Sequence, residues 1–450
     1  MTTLEEQIEI ARAAVVKSDP WSSGTTQVPP ENLQFFYRER QNPSLSRFLE
    51  LNSHATANNL DALSASCEKA TFGRALEDVF DESYRKAGKM DLEMFASKLD
   101  IHQTRILPTA IPRLLREASK RDVEAELYKL NVYDKGGFFR AHKDTPRNER
   151  MFGSLVVVFP TPHTGGDLVL RHDGKEFTFD SGKVLAGSVD TIAFVAFFSD
   201  VEHEVLPVTS GHRVTLTYNL YYTTPSTALS IPLSPNVGDV SQLKVALSAL
   251  LDNPNFSPQG GLLGFGLTHS YPVIPGQTKL EDLLPVLKGS DQVISAACSE
   301  LGLGVALKSV LEDPEITSRY YLMYLDKRPP ESKYPRQTLL DKAIDPSEYG
   351  QIEQSWSSLF AREGTQVHPH DKIPLITNST SMLWILPLSD QSGYEARYIA
   401  YGNQASLGLV YVKLSLVAAF GPSGDRMSWV ADSGRENIQL SEHESSNDAI

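Results

Sequence analysis

His142-Lys143-Asp144 sets an imidazole and a carboxylate two residues apart. In an extended strand alternate side chains share a face, so these two would point the same way. A third ligand is needed to close a facial set, and His203 is the candidate because it follows the apolar run Thr191-Ile192-Ala193-Phe194-Val195-Ala196-Phe197-Phe198. Two histidines and one carboxylate on one face of an octahedral ion leave three positions open, as non-haem Fe(II) centres require to bind a cosubstrate and dioxygen. His142, Asp144 and His203 are therefore the candidate metal ligands and the candidate catalytic centre.

Downstream of His203 the pattern adds a cation. Glu204 to Val208 leads to Thr209-Ser210-Gly211, which reads as a turn, and Arg213-Val214-Thr215-Leu216-Thr217-Tyr218 alternates as a strand does. A hairpin around Ser210 would set His203 opposite Thr217 and bring Arg213 and Thr215 onto the face of His203. Arg213 would then lie about 13 Å along the strand from the metal, at about 3.3 Å per residue. An extended arginine and a five-carbon dicarboxylate, each reaching about 6 Å, fill that gap. A keto acid could chelate the metal at one end and offer its far carboxylate to the planar guanidinium.

These residues resemble the prolyl 4-hydroxylase-like branch of the Fe(II)/2-oxoglutarate dioxygenases. The resemblance is carried by Tyr133-Asp134-Lys135-Gly136, Phe139, His142-Lys143-Asp144, Gly165-Gly166-Asp167-Leu168, His203 and Arg213, over about residues 120–222. The family often has tyrosine where Phe139 stands and proline where Ala141 stands, which weakens the transfer of prolyl specificity and leaves the metal set alone. The resemblance implies that His142, Asp144 and His203 hold Fe(II) and that Arg213 binds the distal carboxylate of 2-oxoglutarate. Tyr133 would add a hydrogen bond and Thr215 would help. It also implies O2 as co-substrate, ascorbate as a candidate reductant, and a double-stranded β-helix, or jelly roll. The activity implied is hydroxylation of an unactivated C–H bond, in a prolyl or other side chain of a protein substrate, with a small-molecule metabolite as the alternative.

At 450 residues, the chain has room for two or three domains. Its net charge of −14 argues against a general nucleic-acid or anionic-membrane surface. Only Cys67 and Cys298 occur, which excludes a disulfide framework and suits a reducing compartment. The N-terminus lacks the pattern of a signal peptide, and no apolar run reaches the length of a membrane span. The expectation is a cytoplasmic or nuclear protein, with no oligomeric state legible.

The elements that must position the site are expected in an α+β chain. Residues 1–120 read as an N-terminal helical region packing on the core. Helices are expected over 3–17, in the stretch from Leu60 to Leu99, and over 107–121, with Trp21 to Pro30 as loop. From Glu124 the period becomes two, and residues 121–222 read as the jelly roll. A composition shift at Thr223-Thr224-Pro225-Ser226-Thr227 marks a boundary to a mixed α/β companion domain over 223–431. That half is expected to hold helices at 240–252 and Leu284 to Leu311, strands at Ser318 to Leu325, Met382 to Pro387 and Val410 to Ala419, and a role in positioning substrate. Residues 432–450 read as a flexible tail.

Other readings compete. His172, in an apparent exposed turn with Asp173-Gly174, is a weaker ligand than His203, and His368-Pro369-His370-Asp371 reads as a polar loop. Gly260 to Gly266 lacks the ending of a phosphate loop and reads as strand glycine. Phe138, Phe139 and Phe152 are candidates for an apolar wall around the metal, or plain core. A non-catalytic metal-binding scaffold would keep the same ligands without turnover, and a cupin-type hydrolase or isomerase would not need Arg213.

Overall fold

The computed structural model describes residues 2–15, 18–74, 77–115, 122–223, 237–273, 278, 280–312, 320–323, 365–367, 382–387 and 410–427. They fall into two compact units, one built from the described residues between 18 and 223, the other from 2–15 and those from 237 onward.

The first unit is built around two facing antiparallel sheets. Its principal strands are β1 (Trp21–Gln27), β2 (Arg85–Lys86), β3 (Val123–Tyr133), β4 (Phe138–His142), β5 (Met151–Val158), β6 (Leu168–His172), β7 (Lys175–Phe179), β8 (Thr191–Phe198), β9 (Glu202–Val205) and β10 (Arg213–Tyr222). The larger sheet runs β1-β8-β5-β10-β3 and continues through the short strands Gly88–Met90 and Glu68–Lys69. The smaller runs β7-β6-β9-β4-β2. Apart from the β6–β7 hairpin, these strands thus alternate between sheets along the sequence, and the residues of both inner faces make one core. The jelly-roll expectation for this stretch agrees with that topology. The central strands read as unbroken apolar runs because both faces are covered: β8 is buried from Ile192 to Phe198.

The N-terminal part departs from the helical expectation. Among the described residues from 18 to 115, α-helix is confined to Ala57–Ser66 and Ile106–Leu115, while 68–97 is largely short strands. The apolar spacing in 68–97 mimicked a helical stripe, but Gly88–Met90 pairs with β3 and Arg85–Lys86 with β4, so tertiary pairing decides. Trp21 to Gln27, expected as loop, is the edge strand β1, in register with β8 from Trp21↔Phe197 to Gln27↔Thr191. A Cβ at Gly24 would meet the Phe194 ring at 2.9 Å, so the glycine that suggested a loop makes room for a core phenylalanine.

The second unit carries a six-stranded sheet in the order Thr365–Val367, Tyr320–Met323, Gly304–Glu312, Val410–Phe420, Gly261–Val273, Met382–Leu386. Helix Leu4–Ala13, opened by a Thr3/Glu6 capping box, packs against helix Val237–Leu251 of this unit, which in turn packs against Gly289–Glu300. The first helix therefore belongs to the second unit. Leu284 to Leu311, expected as one helix, is a 3₁₀ turn, helix Gly289–Glu300 and then strand Gly304–Glu312, the break falling at Gly302 with φ +71°. The clusters at 368–371 and 432–450 lie outside the described residues. No helix among the described residues is long and apolar enough to cross a membrane.

Candidate metal centre

Strand pairing in the smaller sheet brings the two histidines together. β4 pairs with β9, His142 lies directly across from His203, and their ring centroids are 4.2 Å apart. Asp144, two residues beyond His142, completes a cluster in which one ligand atom from each of the three residues lies within 4.8 Å of the others. All three are buried.

The imidazoles are held in one orientation. His142 Nδ1 is 2.8 Å from the Arg140 carbonyl and His203 Nδ1 is 3.1 Å from that of Val201. A carbonyl only accepts, so each Nδ1 carries the proton and each Nε2 keeps its lone pair for an ion. The Ser154 hydroxyl donates to Asp144 Oδ2 at 2.5 Å, while Oδ1 lies 3.8 Å from His203 Nε2. Phe139 stacks on His142 at 3.6 Å between centroids and Phe197 tilts against His203 at 4.6 Å. Burial, with His203 close by, holds the His142 imidazole well below its ordinary range and keeps it neutral. Of the three phenylalanines proposed as a wall, Phe139 lines the pocket, whereas Phe152 stacks on Tyr222 in the core and Phe138 is half-buried beside Arg140.

The hairpin expected around Ser210 does not form. β9 belongs to the smaller sheet and β10 to the larger, Val208–Gly211 pairs instead with His163–Gly165, and His203 is not opposite Thr217. The chain crosses between the sheets there, and the facing of the two layers, rather than cross-strand pairing, brings Arg213, Thr215 and Thr217 into the pocket lined by His142, Asp144 and His203. Register along β3 and β10 orders that wall: Tyr133 sits across from Arg213, Asn131 from Thr215 and Lys129 from Thr217.

Arg213 is 1% exposed, and its Nε and Nη2 have no hydrogen-bond partner. No carboxylate lies within ion-pair distance of it among the described residues, and the nearest aromatic ring, Tyr133, is centred 5.6 Å from its Cζ. A buried guanidinium in this condition is costly unless an anion supplies its acceptors. Gly166 is shaped around it: at φ +74° a Cβ there would meet Arg213 Cδ at 2.9 Å and Val208 Cγ2 at 2.8 Å. This gives the Gly-Gly-Asp motif its physical reason. A site with two imidazoles, one carboxylate and an unpaired guanidinium in one pocket fits a borderline divalent transition-metal ion with a dicarboxylate beside it.

Several pocket residues escaped the sequence reading. Ser154 showed only as a polar residue in the apolar strand of Phe152 to Val158. Arg85 reaches in from the N-terminal part, donating to Asn131 Oδ1 at 2.9 Å and to the Thr71 carbonyl at 2.7 Å, with its Cζ 4.2 Å from the Phe139 ring centre. Lys129 lines the pocket at 6% exposure, and burial draws its ammonium down to about 7, with Arg85 pushing the same way. His172 is not on the surface as expected: its side chain is 10% exposed, 4.0 Å from Asp200, although Asp173 and Gly174 do form the positive-φ turn between β6 and β7.

Residues 128–221 match the 2OG-Fe(II) oxygenase superfamily. No curated protein matches the chain. Among solved structures it is similar to a Pseudomonas putida prolyl-4-hydroxylase, at 20% identity over 48% of this chain and 99% of that one, with a TM-score of 0.27. It is similar also to a 2OG-Fe(II) oxygenase family oxidoreductase of Burkholderia pseudomallei, at 16% identity over 49% and 91% of the two chains, TM-score 0.23. A Trichoplax adhaerens prolyl hydroxylase bound to a hypoxia inducible factor peptide fragment gives 14% identity over 49% and 91%, TM-score 0.26. The family match falls on the strands that carry the His-Asp-His cluster, so residues 128–221 are similar to the 2OG-Fe(II) oxygenases, oxidoreductases that use Fe(II) and 2-oxoglutarate.

Proposed function

We propose that His142, Asp144 and His203 hold the Fe(II), that Arg213 with Tyr133 takes the far carboxylate of 2-oxoglutarate, and that Thr215 lines the cosubstrate's path between them. The reaction is hydroxylation of an unactivated C–H bond, with a side chain of a protein, prolyl foremost, as the substrate. The observation that carries this reading is the joining in one pocket of a three-ligand cluster and a buried guanidinium whose Nε and Nη2 lack acceptors.

When bound, the iron would supply the oxidising chemistry, in which 2-oxoglutarate and dioxygen give carbon dioxide and succinate, one oxygen atom entering succinate and the other the substrate's C–H bond. The chain's residues do the rest. The backbone carbonyls of Arg140 and Val201 fix the two Nε2 atoms as ligands, and the Ser154 hydroxyl fixes the Asp144 carboxylate through Oδ2. Arg213 anchors the cosubstrate at the end of the pocket away from the histidines, with a planar fork matched to a carboxylate. Phe139 and Phe197, packed on the imidazoles, limit water on the ligand side.

The test is anaerobic titration of the Fe(II)-loaded chain with 2-oxoglutarate, followed by the weak visible metal-to-ligand band, in wild type and in His142→Ala, Asp144→Ala and Arg213→Ala. The band is expected in wild type, absent in the two ligand variants, and displaced to far higher 2-oxoglutarate in Arg213→Ala. A wild-type chain that binds iron stoichiometrically and gives no band would return the hydrolase and scaffold readings to the front.

A further inference from the structure

The charge of the pocket does not close with its cosubstrate. Its lining carries three cations, Arg85, Lys129 and Arg213, against one anion, Asp144. On the reading above, Fe(II), Asp144, the doubly charged 2-oxoglutarate and Arg213 sum to zero, which leaves Arg85 and Lys129. Arg85 is accommodated by neutral partners: the Thr71 carbonyl, Asn131 Oδ1 and the face of Phe139. Lys129 is not. It makes no hydrogen bond or ion pair among the described residues, and its Nζ rests 4.0 Å from the centre of the Tyr128 ring.

A second cation meets the same ring. Arg147 Nη2 donates to the Tyr128 hydroxyl at 3.1 Å and its Cζ is 5.5 Å from the ring centre. Arg147 likewise has no acidic partner among the described residues. The backbone is built for this convergence. β3 and β10 shift register between Leu127 and Lys129, so Tyr128 is an inserted residue and both it and its neighbour Lys129 line the pocket, which strict alternation would forbid. Two cations gathered on one neutral phenol, one of them nearly buried, lack an anion.

Register says which end of the pocket this is. Lys129 lies across from Thr217, which lies across from Val156, two residues from the Ser154 that holds Asp144. Tyr133 and Arg213 lie four residues further along the strand, about 13 Å at about 3.3 Å per residue. An anion at Lys129 is therefore at the metal's end and is not the far carboxylate of 2-oxoglutarate.

We propose that Lys129, with Arg147 beside it on Tyr128, is a substrate-carboxylate site: the molecule oxidised by this enzyme carries a carboxylate close to the carbon that reacts. This deepens the functional reading above and rests on it. A buried ammonium drawn toward neutrality by its surroundings is what such a site looks like before its anion arrives. The carboxylate has two possible sources, a free carboxylic acid or an acidic residue of a peptide.

Anaerobic calorimetry on the full chain loaded with Fe(II) and 2-oxoglutarate separates them. One probe set is free dicarboxylic and amino acids; the other is Asp- or Glu-centred peptides with blocked termini. Each probe is paired with its amide. At least one carboxylate is expected to bind tenfold or more tighter than its amide, and Lys129→Met to weaken that binding by at least tenfold. Lys129→Arg should restore it, and Arg147→Gln, a second variant should Lys129→Met not fold, should weaken it severalfold. Binding confined to the first set assigns a small acid, and binding confined to the second an acidic peptide. The proposal is overturned if amides bind as well as acids, or if no carboxylate probe separates wild type from Lys129→Met. It is overturned also if Lys129→Met weakens 2-oxoglutarate itself, which would put the lysine at the cosubstrate's keto-acid end. A wild type that fails to take up 2-oxoglutarate overturns the functional reading and this proposal together, and shows at the loading step before any probe is added.

Discussion

Replacing Arg213 by leucine should move the free protein and the cosubstrate-bound protein in opposite directions. In the free chain the guanidinium is 1% exposed, with Nε and Nη2 unpaired and burial pulling its pKa down. A leucine of lesser volume leaves some void but removes an uncompensated buried charge, and replacement of buried ionic groups by apolar ones is often neutral or stabilising by about 1–4 kcal/mol. The bound state loses more. Truncating one partner of a buried, hydrogen-bonded charge pair costs about 2–5 kcal/mol, which at about 1.4 kcal/mol per decade weakens 2-oxoglutarate from about thirtyfold to a few thousandfold. At a ligand concentration about one hundred times the wild-type Kd, binding stabilises wild type by about 2.7 kcal/mol; a hundredfold weaker variant would gain only about 0.4 kcal/mol. The assay is anaerobic thermal unfolding with and without 2-oxoglutarate at constant Fe(II), alongside calorimetric Kd values. The expected pattern is a free Tm in Arg213→Leu no lower than that of wild type, with the ligand-induced rise almost abolished. A variant that keeps the rise, or a free variant that melts far below wild type, would refute the idea that Arg213 is an anion receptor waiting for its partner.

Ser154→Ala removes the 2.5 Å hydrogen bond that orients Asp144 and should weaken Fe(II) binding about 10–100-fold, read by competition with a chromophoric chelator, with little change in fold. Gly166→Ala forces a Cβ into Arg213 Cδ and Val208 Cγ2 at a φ of +74°, and should cost more than about 1 kcal/mol of stability while raising the 2-oxoglutarate Kd; an unchanged Kd would dissociate the Gly-Gly-Asp turn from the arginine. For Lys129, the folded chain holds the ammonium down to about 7 from an ordinary 10.5, through burial first and then Arg85 and Lys89, against the opposing pull of Asp91. Between those values the unfolded chain binds the extra proton, so stability rises with pH across that window and the penalty is complete below about pH 7. Lys129→Met should therefore raise the Tm of the metal-free chain at pH 6, by a free energy on the order of a few kcal/mol, and by much less at pH 10; equal effects at both would remove the lysine's burial as the cause.

The His142, Asp144 and His203 cluster was legible because its pattern is local. His142 and Asp144 are two residues apart, and the apolar run Thr191 to Phe198 announces the strand that leads to His203. Arg213 was found by an argument whose geometry does not hold, since β9 and β10 lie in different sheets. Arg213 nevertheless lines the pocket of His142, Asp144 and His203, because an offset of ten residues also suits a chain that ends one strand, crosses the barrel and begins another on the facing layer. What propensity could not supply was the N-terminal part: in Arg85–Lys86 and Gly88–Met90 no more than three residues pair with partners that arrive 40 to 54 residues later. Strands that short carry no period, and they exist because β3 and β4 offer them edges.

The residues that escaped notice share a cause. Arg85, Lys129 and Ser154 are polar side chains turned inward, and on sequence alone each is most simply a solvated residue in a sheet. Lys129 shows why position along a strand is insufficient. Reading β3 by strict alternation does place Lys129 with Asn131 and Tyr133, but it consigns Tyr128 to the opposite face, and only the register shift after Leu127 brings the ring and the ammonium into one cavity. A bulge is invisible in a hydrophobic pattern, because it changes which residues are neighbours without changing what they are. Inward charge is costly in a core and is kept where something outside the chain completes it. On the proposed reading the iron would complete Asp144 and the cosubstrate Arg213, which leaves the ammonium of Lys129 as the charge that points to the substrate.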